Sequence, residues 1–134
     1  MDKKSFKPEI ASVCKIQQFV KHYFEKQKSD INKTSDIDLI IEEIVVNVIK
    51  YGFKDISKGI IQVEINTLKD KIILVISDNG IPFNPLKAPL PDIKTSLEDR
   101  KIGGLGIFLA RQKSREFDYL RENNQNKLTI MIGL

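Results

Sequence analysis

The chain has 134 residues, enough for one domain whose core needs no disulfide or metal staple, and its 41% hydrophobic and 30% charged residues are those of an ordinary globular protein. No apolar run reaches membrane-spanning length and Met1-Asp2-Lys3-Lys4 leads into no signal-peptide core, so the expected location is the cytoplasm. A net charge of +4 scattered among acids, a single Cys14 and a single His22 without an acid or cysteine cluster argue against strand-type nucleic-acid binding, an internal disulfide, a zinc site and a histidine-based triad.

From about Pro8 to Gln27 the residues Ile10, Val13, Ile16, Phe19, Val20, Tyr23 and Phe24 recur at three- and four-residue steps, which predicts an amphipathic helix. Cys14 falls within it and is expected to be a small buried thiol, with His22 on the helix surface. A polar linker, Lys28 to Thr34, leads to Ser35 and Asp36, which can cap a second helix that runs to about Tyr51 and ends at Gly52. Gly59 to Leu68 and Lys71 to Ser77 read as two strands of a hairpin turning at Lys69-Asp70. Pro82, Pro85, Pro89 and Pro91 then break the pattern from Ile81 to Ile102, a length that marks either a functional lid or disorder. Leu105 to about Ser114 predicts a short helix. Phe117-Asp118-Tyr119-Leu120 and Lys127 to Ile132 predict a closing hairpin through Asn123-Asn124-Gln125-Asn126. Helices and hairpins segregated in this way predict a two-layer α/β sandwich in a single domain over 1–134, its mixed, mostly antiparallel sheet covered on one face by helices.

Three segments carry chemistry. Glu43 and Asn47 are four residues apart and stack on one face of the second helix, at the edge of the apolar arc of Ile40, Ile41, Ile44, Val45, Val48 and Ile49. A carboxylate poised there suits a general base and the amide oxygen suits Mg²⁺; the same pair also suits the solvated edge of an ordinary helix. Asp78 leaves the apolar strand Ile72-Ile73-Leu74-Val75-Ile76 with Gly80 two residues on. An acid there can accept from an exocyclic amino group such as adenine N6, with glycine letting a flat base approach; Asn79-Gly80 and Ile81-Pro82 equally suit a turn. Gly103, Gly104 and Gly106 precede a helix start, which makes either a phosphate cradle or a flexible hinge. No Gly-Lys-Ser/Thr follows, so this is no P-loop. Together the three segments make ATP the leading ligand.

In order and spacing, Glu43-x-x-x-Asn47, Asp78-x-Gly80-x-Pro82-Phe83 and Gly103-Gly104-x-Gly106-x-x-Leu109 resemble the three nucleotide-binding boxes of the GHKL (Bergerat-fold) ATPase superfamily. The likeness is strongest to its compact branch of anti-sigma-factor serine/threonine kinases, and Tyr119-x-Arg121…Asn126-x-Leu128-Thr129 resembles that branch's closing hairpin. The resemblance implies ATP and Mg²⁺ as cofactors, Glu43 as general base toward a protein serine, and Asn47 as the magnesium ligand. It implies Asp78 and Gly80 at the adenine, Gly104 and Gly106 along the triphosphate, Gly103 as hinge of a lid over about 84–102, and Thr129 behind the adenine through water. Arg100, with Lys101, would stabilise charge on the γ-phosphate. Implied partners are an anti-anti-sigma (STAS-type) protein, as substrate, and a sigma factor, with no direct nucleic-acid or membrane contact; relatives are often homodimers. The alternatives are a non-catalytic nucleotide-binding module acting by sequestration and a detached histidine-kinase-type catalytic domain. Departures from the family pattern are Tyr51, where many relatives have histidine, and Lys113 and Ser114, where relatives are usually apolar.

Overall fold

Alternation of Ile61, Val63 and Ile65, and of Ile72, Leu74 and Ile76, puts every second side chain on one face of an extended chain, and that face has to be covered. The computed structural model describes residues 1–27, 34–84, 112 and 116–133. There the chain runs β1 (Asp2–Phe6), α1 (Ala11–Lys26), α2 (Thr34–Tyr51), β2 (Ile61–Leu68), β3 (Lys71–Asp78), β4 (Glu116–Glu122) and β5 (Gln125–Gly133), with a 3₁₀ turn at Ile56–Lys58. One open five-stranded sheet has the order β1-β2-β3-β5-β4. Every neighbouring pair is antiparallel, so among the described strands the sheet is not mixed.

Both helices cover the same sheet face. Ile16, Val20, Tyr23 and Phe24 of α1 and Ile37, Ile40, Ile41, Ile44, Val45 and Val48 of α2 join the inward rows of β2, β3 and β5 in one buried cluster. Among the described residues no helix is long and apolar enough to cross a membrane.

Four local features depart from the sequence expectations. Strand β1 was not expected, because Asp2–Phe6 offers one buried apolar side chain, Phe6; the strand forms by pairing with the free edge of β2. Helix α1 begins at Ala11 because Pro8 to Ile10 makes a lead-in turn, in which Ser12 N donates to Glu9 O at 2.9 Å and Ser12 Oγ to Lys7 O at 2.6 Å. Cys14 is exposed, since the buried stripe runs through Val13, Ile16 and Val20 and leaves it to one side. Helix α2 already includes Thr34, which puts Ser35 and Asp36 in its first turn instead of before it.

The β4–β5 turn decides which residues of β5 face the helices. Asn123 and Asn124 have φ of 52° and 59°, the pair of left-handed conformations that a two-residue hairpin turn requires. Asparagine tolerates that region, so two residues complete the reversal and the expected four-residue loop shortens. Asn126 thereby joins β5, in phase with Leu128, Ile130 and Ile132. The helix expected over 105–114 and the lid over 84–102 lie outside the described residues, apart from Asn84 and Gln112.

Candidate functional site

Two apolar rows on the covered face each end in a polar residue, and the two are direct partners across the sheet. Ile72, Leu74 and Ile76 of β3 lead to Asp78; Ile132, Ile130 and Leu128 of β5 lead to Asn126; the register pairs Asp78 with Asn126 and Asn126 with Arg121 of β4. Asp78 is 5% exposed and Asn126 4%. Buried polar groups of this kind need partners, and they have them. Asp78 Oδ1 accepts from Gly80 N at 2.9 Å and Asn126 Nδ2 at 3.0 Å, whereas Oδ2 has no partner among the described residues. Burial pushes the Asp78 carboxyl above its usual range, opposed by the hydrogen bonds from Asn126 and Gly80 and by the Arg121 charge.

The loop after Asp78 is tied down on every side. Asn79 accepts from Ile60 N at 2.8 Å and donates to Lys58 O at 3.0 Å. Arg121 Nη1 donates to Gly80 O at 2.8 Å, and Ile81 N donates to Gly52 O at 2.7 Å, beyond the end of α2. Gly80 therefore has a structural reason to lack a side chain: a Cβ there would lie 1.9 Å from Gly52 O. The close approach that glycine permits at this position is that of the chain's own backbone.

α2 supplies the facing wall. A cleft has apolar sides of Ile44, Val48, Ile76 and Leu128, with Phe83 and Tyr119, and polar groups from Asn47, Asp78 and Asn126. Tyr51, exposed at the end of α2, leans on Phe83 with ring centroids 6.3 Å apart. Asn47, 5% exposed, donates from Nδ2 to Glu43 O at 2.6 Å, and among the described residues nothing donates to its Oδ1. Glu43 lies one helical turn before Asn47 and is half-buried, while Glu42 is exposed, as the helical phase requires. Burial raises the Glu43 carboxyl, the neighbouring Glu42 charge adds to this, and Lys50 opposes it.

The structure thus brings Asn47 and Asp78 to one cleft, with Glu43 a turn away. Thr129 is elsewhere: its register partners are Val75 and Asp118, and strand alternation puts it on the uncovered face, opposite Asp78 and Asn126. Asn126 holds the position beside Asp78 that Thr129 was expected to serve. Arg100, Lys101, Gly103, Gly104 and Gly106 lie outside the described residues. Asn126, Tyr119 and Arg121 had no assigned role in the sequence; a polar residue in phase with an apolar strand row was the signal for the first.

Comparison with known proteins adds to this geometry. The histidine kinase-like ATPase domain family matches residues 6–132. The serine/threonine-protein kinase BtrW of Bordetella bronchiseptica is 28% identical over 94 residues, 70% of this chain and 66% of its own length. The serine-protein kinase RsbW of Listeria monocytogenes is 35% identical over 78 residues, 55% of this chain and 50% of its own length. The matched stretch thus spans between half and two thirds of these relatives. Among solved structures, the catalytic domain of histidine kinase ThkA aligns over 99% of this chain and 97% of its own, with a TM-score of 0.54 at 14% identity, a likeness of fold.

Proposed function

Because the chain belongs to the histidine kinase-like ATPase domain family, we propose that its cleft binds ATP and that the protein transfers phosphate to a serine of a partner protein. The carrying observation is Asp78, a buried carboxylate that lines the cleft with one oxygen tied down and the other without a partner among the described residues. The exocyclic amino group of adenine is such a donor, and the apolar walls suit a flat base. Asn47 Oδ1 fits the neutral oxygen ligand that Mg²⁺ accepts alongside phosphate and water.

Bound Mg-ATP would supply the phosphoryl group, with ADP as the leaving group, and the cation that offsets its charge. Glu43 takes the proton of the acceptor hydroxyl, a role suited by burial that raises its proton affinity. By the resemblance of the three segments, Gly103, Gly104 and Gly106 would cradle the phosphates, Arg100 and Lys101 would meet the γ-phosphate, and 84–102 would be the lid. The acceptor serine belongs to an anti-anti-sigma (STAS-type) protein, and the chain also sequesters a sigma factor. Phosphate added to the antagonist weakens its hold through charge and so exchanges one partner for the other. The relatives' names as serine kinases support the acceptor; the partners rest on the resemblance of the three segments to the anti-sigma branch.

Calorimetric titration with ATP, with and without Mg²⁺, is the first test, and magnesium-dependent binding is expected. Glu43→Ala should keep that affinity and lose phosphate transfer to a STAS-type partner. Absence of ATP binding by the native chain overturns the reading. Binding without transfer would make it a sequestering module, and transfer to a histidine would make it a detached histidine-kinase domain.

A further inference from the structure

Asn126 uses its whole hydrogen-bonding capacity. Nδ2 donates to Asp78 Oδ1 at 3.0 Å and to Ile81 O at 2.7 Å, while Oδ1 accepts from Phe83 N at 3.2 Å and Tyr119 OH at 2.5 Å. A primary amide has two N–H donors and two oxygen lone pairs, so the group is saturated. Exchanging its nitrogen and oxygen would set oxygen against the Asp78 carboxylate and the Ile81 carbonyl, and NH₂ against the Phe83 N–H. The orientation is therefore determined by β3, by the loop after it and by β4 together.

We propose that Asn126 is a positioning residue that makes Asp78 a one-oxygen acceptor and thereby selects adenine over guanine. This role rests on ATP being the ligand, as proposed above. A carboxylate free at both oxygens can accept the adjacent N1–H and N2–H donors of guanine side by side. With Asp78 Oδ1 held by Asn126 and Gly80, only Oδ2 is free among the described residues, which matches the single amino group of adenine. Tyr119 acts through Asn126, its hydroxyl fixing the amide from the far side.

The same contact helps keep Asp78 ionised against its burial. Among the described residues, the charged and titratable groups around Asp78 are Arg121 and Tyr119, both on β4, whereas α2 contributes Ile44, Asn47 and Val48 to the shared cleft. Loss of the Asn126 donor therefore moves the Asp78 titration to higher pH, and ATP binding then fails at a higher pH as the solution is acidified.

The test compares the native chain, Asn126→Ala and Tyr119→Phe in three measurements: ATP and GTP affinity, the pH dependence of ATP affinity, and the carboxyl ¹³C titration of Asp78 without nucleotide. In Asn126→Ala the ATP-over-GTP preference should shrink about tenfold, the effect of one strong hydrogen bond, with Asp78 titrating higher. Tyr119→Phe should shrink the preference about threefold, and it carries the test alone if Asn126→Ala does not fold. A folded variant with native preference and native Asp78 titration overturns the role of Asn126. Equal loss of both nucleotides with an unmoved titration marks a merely structural residue and overturns it as well. If the native chain binds neither nucleotide, the ATP reading itself falls and base selection falls with it.

Discussion

Replacing Gly80 by alanine separates two explanations of this glycine. One leaves the bare Cα open to a flat base; in the structure the carbonyl of Gly52 occupies that space. A Cβ at position 80 would lie 1.9 Å from Gly52 O and 2.8 Å from Gly52 C. These are backbone atoms and cannot swing aside like a side-chain tip, so the contact must open by about 1.1 Å to reach even 3.0 Å. That movement breaks the bond from Ile81 N to Gly52 O, now 2.7 Å, and the one from Arg121 Nη1 to Gly80 O, now 2.8 Å. At roughly 0.5–1.5 kcal/mol for the neutral bond and 1.5–3 for the charge-assisted one, the loss is about 2–4.5 kcal/mol. For a chain of 134 residues each kcal/mol lowers the melting temperature by roughly 3–4 °C, so Gly80→Ala should melt about 6–18 °C below the native protein. Thermal unfolding followed by circular dichroism reads this directly, with ATP calorimetry well below the melt as the second measurement. A melting temperature within about 2 °C of native, combined with lost ATP affinity, would refute the reasoning. Gly80 would then serve the ligand and not the end of α2.

Two further predictions concern the carboxylates. Asp78→Asn keeps the shape of the side chain and should weaken ATP binding about 10- to 100-fold, the range of a lost hydrogen bond to a charged group. Its effect on stability has the opposite sign at neutral pH. Burial raises the Asp78 carboxyl in the folded state, so its favourable contribution is present below the unfolded value and is lost as pH rises through the folded one. At pH 7 the ionised group is a cost that asparagine removes, so the variant should resist urea at least as well as the native protein, and its advantage should shrink towards pH 4. Native protein more stable than the variant at pH 7 would contradict this. For Glu43, burial and Glu42 raise the carboxyl, so phosphate transfer should fall on acidification with a midpoint above the roughly 4.3 of an ordinary glutamate. A midpoint at or below that value would exclude Glu43 as the base.

The parts of the fold that were legible in the sequence are those where burial sets the period. Val13, Ile16, Val20, Tyr23 and Phe24 form the buried stripe of α1, and the alternation from Ile61 to Ile65 and from Ile72 to Ile76 is the inward face of β2 and β3. The less legible parts depend on something outside the local pattern. Strand β1 pairs with an edge that exists only once β2 and β3 have formed, and its own residues show a single buried apolar side chain. Cys14 was misplaced because a small apolar residue beside a helical stripe fits either side of its boundary.

The site shows how one turn decides a functional assignment. Asp78 was legible because it continues the phase of Ile72, Leu74 and Ile76, so its burial follows from the strand itself. Asn126 continues the phase of Leu128, Ile130 and Ile132 just as closely, but that phase is visible only if the strand is allowed to begin before Lys127. Four consecutive polar residues from Asn123 to Asn126 resemble a loop, and a loop of that length starts the strand at Lys127. The left-handed conformations of Asn123 and Asn124 close the turn in two residues. Register then pairs Asn126 with Asp78, and alternation turns Thr129 to the uncovered face. Two asparagines in the turn thus determine which polar side chain stands beside Asp78. In a two-layer fold with one covered face, a polar residue in phase with a buried row is the signal to follow, ahead of a hydroxyl residue carried over by family resemblance.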